Sequence, residues 1–263
     1  MKITTLGCGN AFSNKSYNQS FLVEEGGRKM LIDCGMQTGA ALANAGLKPQ
    51  DIDDIYVSHS HADHCGGLEY FAFLRYDWLK RPRRFDEGLS RTVLENALFG
   101  IPVKSYAPRL IANTQLMKDL WNKTLCGGLE SMEGFVATME TFFEPVPIEP
   151  NKSFIWQGWT VDLIQQIHIM SGSVIMPSFG IMFRKKDHKS VYFVTDSQHC
   201  SPRQMEEYYR MADIIYQDCE CTGVNFLYDE GTSIYKDMPS GGVHKPWPTD
   251  AIEIMSVMAE GAK

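Results

Sequence analysis

The sequence has no apolar run of the roughly 18 residues that a membrane-spanning helix requires, which excludes helical membrane insertion from the reading. Its start, Met1-Lys2-Ile3-Thr4-Thr5-Leu6, goes straight into a strand pattern with no apolar leader, so the expectation is a soluble, cytoplasmic protein. It also lacks any Cys-x-x-Cys pair. The seven cysteines (8, 34, 65, 126, 200, 219 and 221) are odd in number and scattered, which excludes a disulfide framework and a zinc ribbon and leaves them as small buried hydrophobes. Basic residues are outnumbered, 25 Lys and Arg against 32 Asp and Glu, and the net charge of -7 argues against a general nucleic-acid binder. The local exception, Lys80-Arg81-Pro82-Arg83-Arg84, reads either as a solvated loop or as a phosphate-steering patch. No repeat, low-complexity tract or interdomain linker interrupts the 263 residues, and 44% hydrophobic content suffices for one large core, so a single domain over 1–263 is expected.

Histidine is scarce as well, yet three of the seven fall within six residues, His59-Ser60-His61-Ala62-Asp63-His64, directly after the apolar strand pattern at 52–57. In extended chain, side chains two apart point the same way, so His59 and His61 can grip one ion. Asp63 and His64 fall where a helical pattern begins and turn toward a neighbouring position, so that one loop can feed two metals. A chance cluster in a polar surface turn is the competing reading, and the crowding of imidazoles disfavours it.

The remaining pattern is that of an α/β protein. Strands are expected at 3–6, 20–23, 29–33, 52–57, near Ser105, and at 154–156, 160–167, 179–183, 191–195 and 213–217. Helices are expected at 37–45, 67–76, 89–99, 113–124, 203–211 and 249–258, with Gly46 and Gly127-Gly128 as stops. Two β-rich halves with outer helices suggest a four-layer αββα sandwich.

His-x-His-x-Asp-His followed by Gly66-Gly67-Leu68 resembles the signature of the metallo-β-lactamase-fold hydrolases, which have that same architecture. The resemblance implies a later histidine ligand and then a bridging Asp, each at a strand end. His168, after the run 160–167, and Asp196, after Val191-Tyr192-Phe193-Val194-Thr195, fit in order. Read alone, they are a hydrogen-bonded strand-end histidine and a turn or cap residue. The ligand set is then His59, His61, Asp63, His64, His168 and Asp196, holding two divalent ions, zinc or alternatively manganese. Ions about 3.5 to 4 Å apart lower the pKa of a shared water and supply hydroxide at neutral pH, with Asp63 orienting the attack.

Leu6-Gly7-Cys8-Gly9-Asn10-Ala11-Phe12 and Leu31-Ile32-Asp33-Cys34-Gly35 are similar to ribonuclease Z and its phosphodiesterase relatives. In ribonuclease Z an acidic residue pairs with a later histidine to protonate the leaving group. Here Asp218, or Glu220 as alternate, and His244 stand at the corresponding places, the bland alternative being a capping Asp and a loop His. The family's last histidine ligand lies on a strand beyond the final helix, where this chain reaches Gly261-Ala262-Lys263, so the expectation is either a shortened chain, or His244 as ligand of the second ion, or a second ion completed by water. Bacterial ribonuclease Z carries a long arm between its third histidine and bridging Asp. Only a short segment separates His168 from Asp196, which with the acidic balance moves the expected substrate from tRNA to a small phosphodiester or nucleotide. Leu120-Trp121-Asn122-Lys123-Thr124-Leu125 before Gly127-Gly128 is similar to the phage anti-Pycsar enzymes, which cleave cyclic mononucleotides. Ser178-Phe179-Gly180 either meets a nucleotide or simply starts a strand. His188 and His199 read as surface residues, and a homodimer is compatible with the resemblance. The alternatives are a tRNA 3′-processing endonuclease, a thioester or lactam hydrolase, a di-iron oxidoreductase and a non-catalytic scaffold.

Overall fold

The computed structural model describes residues 1–80, 107–197 and 206–217. The expected elements at 89–99, near Ser105 and at 249–258 lie outside them. The chain divides into two compact units, Met1–Glu149 and Pro150–Lys263.

The first unit is built on β1 (Lys2–Gly7), β2 (Ser20–Glu25), β3 (Arg28–Ile32), α1 (Thr38–Asn44), β4 (Asp54–Tyr56), α2 (Ala62–Cys65), α3 (Leu68–Lys80), β5 (Arg109–Asn113), α4 (Thr114–Asp119), α5 (Cys126–Leu129), β6 (Ser131–Met132), β7 (Phe135–Val136), α6 (Met139–Phe142) and β8 (Glu144–Ile148). Six strands form one sheet in the order β1-β2-β3-β4-β5-β8, antiparallel at first and parallel from β3 onward. The parallel register lines up Leu31, Ile55 and Leu110 on one face, with Leu22 of β2 completing the row. Helices α1, α3, α5 and α6 bury this row with Leu42, Leu68, Phe71, Leu129 and Phe142. The alternate row, Phe21, Ile32, Tyr56 and Ile111, is buried too, which is why these strands read as continuous apolar runs rather than alternating ones.

Three local departures from the expected elements have physical causes. β5 forms where no strand was expected, and Asn113, expected to begin a helix, ends that strand and caps α4 by accepting Gln115 N–H at 3.0 Å. The following helix does not stop at Gly127: residues Leu120–Leu125 form a π-helical turn that leads into α5. β8 reads as no strand because it carries Pro145 and Pro147. It is accommodated at the end of the sheet order, where Glu144 N–H faces inward to Pro108 and the two proline nitrogens alternate to the outer side.

The second unit comprises β9 (Ser153–Trp156), β10 (Trp159–Ser171), β11 (Val174–Arg184), β12 (Val191–Thr195), α7 (Glu206–Met211) and β13 (Ile214–Gln217), in the sheet order β13-β12-β11-β10-β9. β10 and β11 form a long hairpin whose turn is Gly172 and Ser173, with Gly172 at φ 59°. Ile164, Met182, Tyr192 and Val194 pack with Tyr209 and Ala212 of the α7 region. No described helix is long and apolar enough to cross a membrane.

Candidate metal centre

The candidate site in the first unit grows from the C-terminal ends of β3 and β4, where parallel strands of α/β sheets present ligands. The chain leaves β3 through Asp33 in the left-handed region, φ 62°, a conformation Asp tolerates better than most residues. Its carboxylate accepts Ser58 N–H at 2.8 Å on Oδ1; on Oδ2 it accepts the Ser58 hydroxyl at 2.9 Å and meets His64 Nδ1 at 2.8 Å. Ser58 Oγ lies 3.0 Å from His59 Nδ1, and His59 Nε2 lies 3.0 Å from His61 Nδ1. Two nitrogens bound tetrahedrally to one zinc stand about 3.3 Å apart, so these two imidazoles converge as ligands of one ion do. His61 is the extended residue preceding α2, and α2 carries Asp63 and His64, whose Oδ2 and Nε2 are 3.6 Å apart. His59, Asp63 and His64 are all buried.

Close backbone packing fixes that turn. Cys34 N–H bonds to His64 O at 2.8 Å, Met36 N–H to Ala62 O at 3.2 Å and Gly67 N–H to Cys34 O at 2.8 Å. A Cβ on Gly35 would come within 1.9 Å of Asp63 O, so only glycine fits there. Two thiols flank the cluster without joining the donor set. Burial, then the charges of Asp33 and Asp63, push Cys65 up to about 12. Burial also raises Cys34 well above its usual value, with Cys65 and Asp33 adding to it. At neutral pH both are neutral thiols, whereas zinc binds thiolate.

In the second unit, His168 was expected to end its strand and does not. β10 continues to Ser171, and His168 is the extra residue of a β-bulge, between Ile167 opposite Pro177 and Ile169 opposite Met176. Proline lacks the N–H that a regular ladder would use there, and bulges re-aim the residue they contain. His168 is fully buried. β12 ends with Thr195 at φ 58°, and the next residue, Asp196, is buried with Oδ2 3.8 Å from His168 Nε2. Ser178 is buried inside β11, where its hydroxyl donates to Asp196 O at 2.9 Å. Ser178-Phe179-Gly180 is therefore not a strand start: it lies in the strand interior, and Ser178 holds the backbone of Asp196.

Among the described residues, the candidate metal donors are His59, His61, Asp63 and His64 in the first unit and His168 and Asp196 in the second. They are imidazole and carboxylate donors, all buried except the half-buried His61, and this is the chemistry that borderline divalent ions such as zinc take. Asp218, Glu220, His244 and His199 lie outside the described residues, as do Arg81, Arg83 and Arg84. His188 is exposed in its turn and sits against Trp159 with ring centroids 5.4 Å apart. Sequence reasoning gave no role to Asp33 or Ser58. The signal was present in Asp33-Cys34-Gly35 and in the residue before the first histidine, but their partnership depends on the pairing of β3 with β4.

A family model described as Anti-Pycsar protein Apyc1 matches residues 1–230. The Anti-Pycsar protein Apyc1 of Paenibacillus xerothermodurans is 33% identical over 171 residues, covering 64% of this chain and 58% of the relative. The one from Bacillus phage vB_BveM-Goe7 is 33% identical over 202 residues, covering 74% and 67%. The match thus spans less than two thirds of the Paenibacillus relative's own length. Among solved structures, human tRNase Z, short form, superposes with a TM-score of 0.62 at 17% identity, covering 98% of this chain and 89% of that one. A metallo-β-lactamase-fold protein of Bacillus subtilis superposes with a TM-score of 0.56 at 15% identity, covering 82% and 71%. The fold is the α/β fold of the metallo-β-lactamase type.

Proposed function

This chain belongs to the Anti-Pycsar protein Apyc1 family, and on that premise we propose that it is a metal-dependent phosphodiesterase that hydrolyses a small phosphodiester, a cyclic mononucleotide. The observation that carries this reading is the family match across residues 1–230, which include all six proposed ligands. His59, His61 and His168 are assigned to one divalent ion, Asp63 and His64 to a second, with Asp196 common to both, as the ligand motif of the sequence implies. Zinc is the ion this reading favours, with manganese the alternative. A pair of such ions lowers the pKa of water and neutralises charge on phosphate oxygens. The protein's own part is to hold the donors rigid, to exclude bulk water by burial, and to orient the attacking water through the Asp63 carboxylate. Protonation of the leaving oxygen is assigned, on sequence alone, to His244 with Asp218 or Glu220 behind it.

A small substrate is also supported by what lies between His168 and Asp196. The hairpin of β10 and β11, its turn at Gly172 and Ser173, the Lys185 to Ser190 connection and β12 occupy that stretch, and no arm is inserted in it. Cyclic mononucleotides are intracellular, so the cytoplasm is the compartment this reading implies.

The test is a chromatographic assay that offers the metal-loaded chain cyclic AMP, GMP, CMP and UMP beside a precursor tRNA. Ring opening of at least one cyclic nucleotide to its monophosphate is expected. Trimming of the tRNA 3′ end with no cyclic nucleotide turnover would overturn the proposal in favour of a tRNA-processing endonuclease.

A further inference from the structure

We propose that Asp33 and Ser58 are positioning residues that together set which nitrogen carries the proton in His59 and in His64, so that one carboxylate prepares a ligand for each of the two ions. The inference rests on the ligand set proposed above. It starts from proton counting. The Ser58 hydroxyl has one hydrogen, which it donates to Asp33 Oδ2, 2.9 Å away. Toward His59 it can therefore only accept. At 3.0 Å from Ser58 Oγ, His59 Nδ1 is then the protonated nitrogen, and the lone pair is left on Nε2. Nε2 is the atom that converges with His61 Nδ1.

The second branch is direct. His64 Nδ1 lies 2.8 Å from the same Asp33 Oδ2, so it is the protonated nitrogen of that ring and Nε2 carries the lone pair. His64 Nε2 faces Asp63 Oδ2 at 3.6 Å. His59 and His64 are assigned to different ions in the ligand set proposed above. The carboxylate is itself held on its other oxygen by Ser58 N–H at 2.8 Å, and it is almost completely buried. A carboxylate that accepts from ligand imidazoles both orients the ring and raises the basicity of the opposite nitrogen, and losing such a partner lowers metal affinity by about 10- to 100-fold.

The two branches can be cut separately. Ser58→Ala keeps the backbone N–H on Asp33 and removes only the hydroxyl relay, whereas Asp33→Asn alters both branches. The measurements are zinc titration of the full chain against a competing chelator, resolving two dissociation constants, and the nitrogen NMR shifts of the imidazoles. Ser58→Ala is expected to weaken one ion about 10- to 100-fold, with the other unchanged, and to move the His59 nitrogen shifts away from the Nδ1-protonated form. Ser58→Thr, which restores the hydroxyl, should recover both. Asp33→Asn should weaken both ions.

Unchanged constants and unchanged His59 shifts in Ser58→Ala overturn the proposal, and equal weakening of both ions by that variant overturns the separate branches. His61→Ala serves as the control on the ligand set. If it releases one ion while Ser58→Ala does nothing, the positioning inference alone fails. If it releases none, the ligand assignment beneath it fails.

Discussion

Asp196 is the one side chain assigned to both proposed ions, and this makes its loss different in kind from the loss of His61, which is assigned to one. Asp196→Ala should therefore release both ions and His61→Ala only one. Both should lower hydrolysis of bis-p-nitrophenyl phosphate by about 10³-fold or more, the equivalent of several kcal/mol of lost charge stabilisation. Release of p-nitrophenolate, metal counting by mass spectrometry and an unchanged circular dichroism spectrum check this together. Wild-type turnover in either metal-replete variant would remove the residue from the site. The residues of the first cluster stood out in the sequence because six adjacent positions carry four proposed ligands, and adjacency survives without a fold. Asp33 was not. Its effect on His59 runs through Ser58 and depends on β3 lying beside β4, a pairing between residues 25 positions apart.

The elements that bracket the cluster are locked by close approach, and glycine is the part that allows it. Gly35→Ala would drive a Cβ into the Asp63 carbonyl, a backbone atom that cannot swing aside. Overpacking usually costs about 1–3 kcal/mol, and a contact this short should exceed that range. Thermal melting and zinc titration should show a large drop in Tm together with weakened metal binding, since α2 carries the ligands. An unchanged Tm would mean that the corner between β3 and α1 yields freely. In the second unit, Asp162 on β10 is held by Arg184 of β11 and Ser153 of β9. Burial alone would raise its pKa, but the hydrogen bonds from Arg184 and Ser153 and the Arg184 charge outweigh it and hold the carboxyl below its ordinary 3.8. A carboxyl depressed in the folded state stabilises the fold above its unfolded pKa and loses that contribution as pH falls through the folded value. The stability deficit of Asp162→Asn, no more than about 1 kcal/mol for so exposed a pair, should be complete at pH 7 and shrink below about pH 4. Urea unfolding at the two pH values measures it, and a deficit independent of pH would discard the assignment.

Strands such as β3 and β12 were legible as apolar runs closed by Asp. β5 and the π-helical turn after α4 were not, because a cap residue and a glycine pair signal helix ends wherever packing does not override them. β10 outran its expected end for a similar reason: a bulge adds a residue without ending the strand, and periodicity counts it as a break.

At the scale of the whole molecule, buried carboxylates and imidazoles such as Asp63, His64 and Asp196 are groups that the proposed ions would neutralise and tie together, so metal is expected to add to stability. A ligand present at 100 times its dissociation constant stabilises the folded state by about 2.7 kcal/mol. Stripping with a chelator should lower Tm by several degrees, and stoichiometric zinc should restore it. Equal melting curves with and without metal would show that the donors are not preorganised by the fold. An exposed strand edge is a template on which another chain can pair, and the remedy is to remove its donors. Pro145 and Pro147 leave β8 with no N–H to offer on its outer side, while Glu144 N–H is already turned inward. On that side the sheet is closed to growth by strand addition, so crowded or partly unfolded copies cannot be recruited there into fibres.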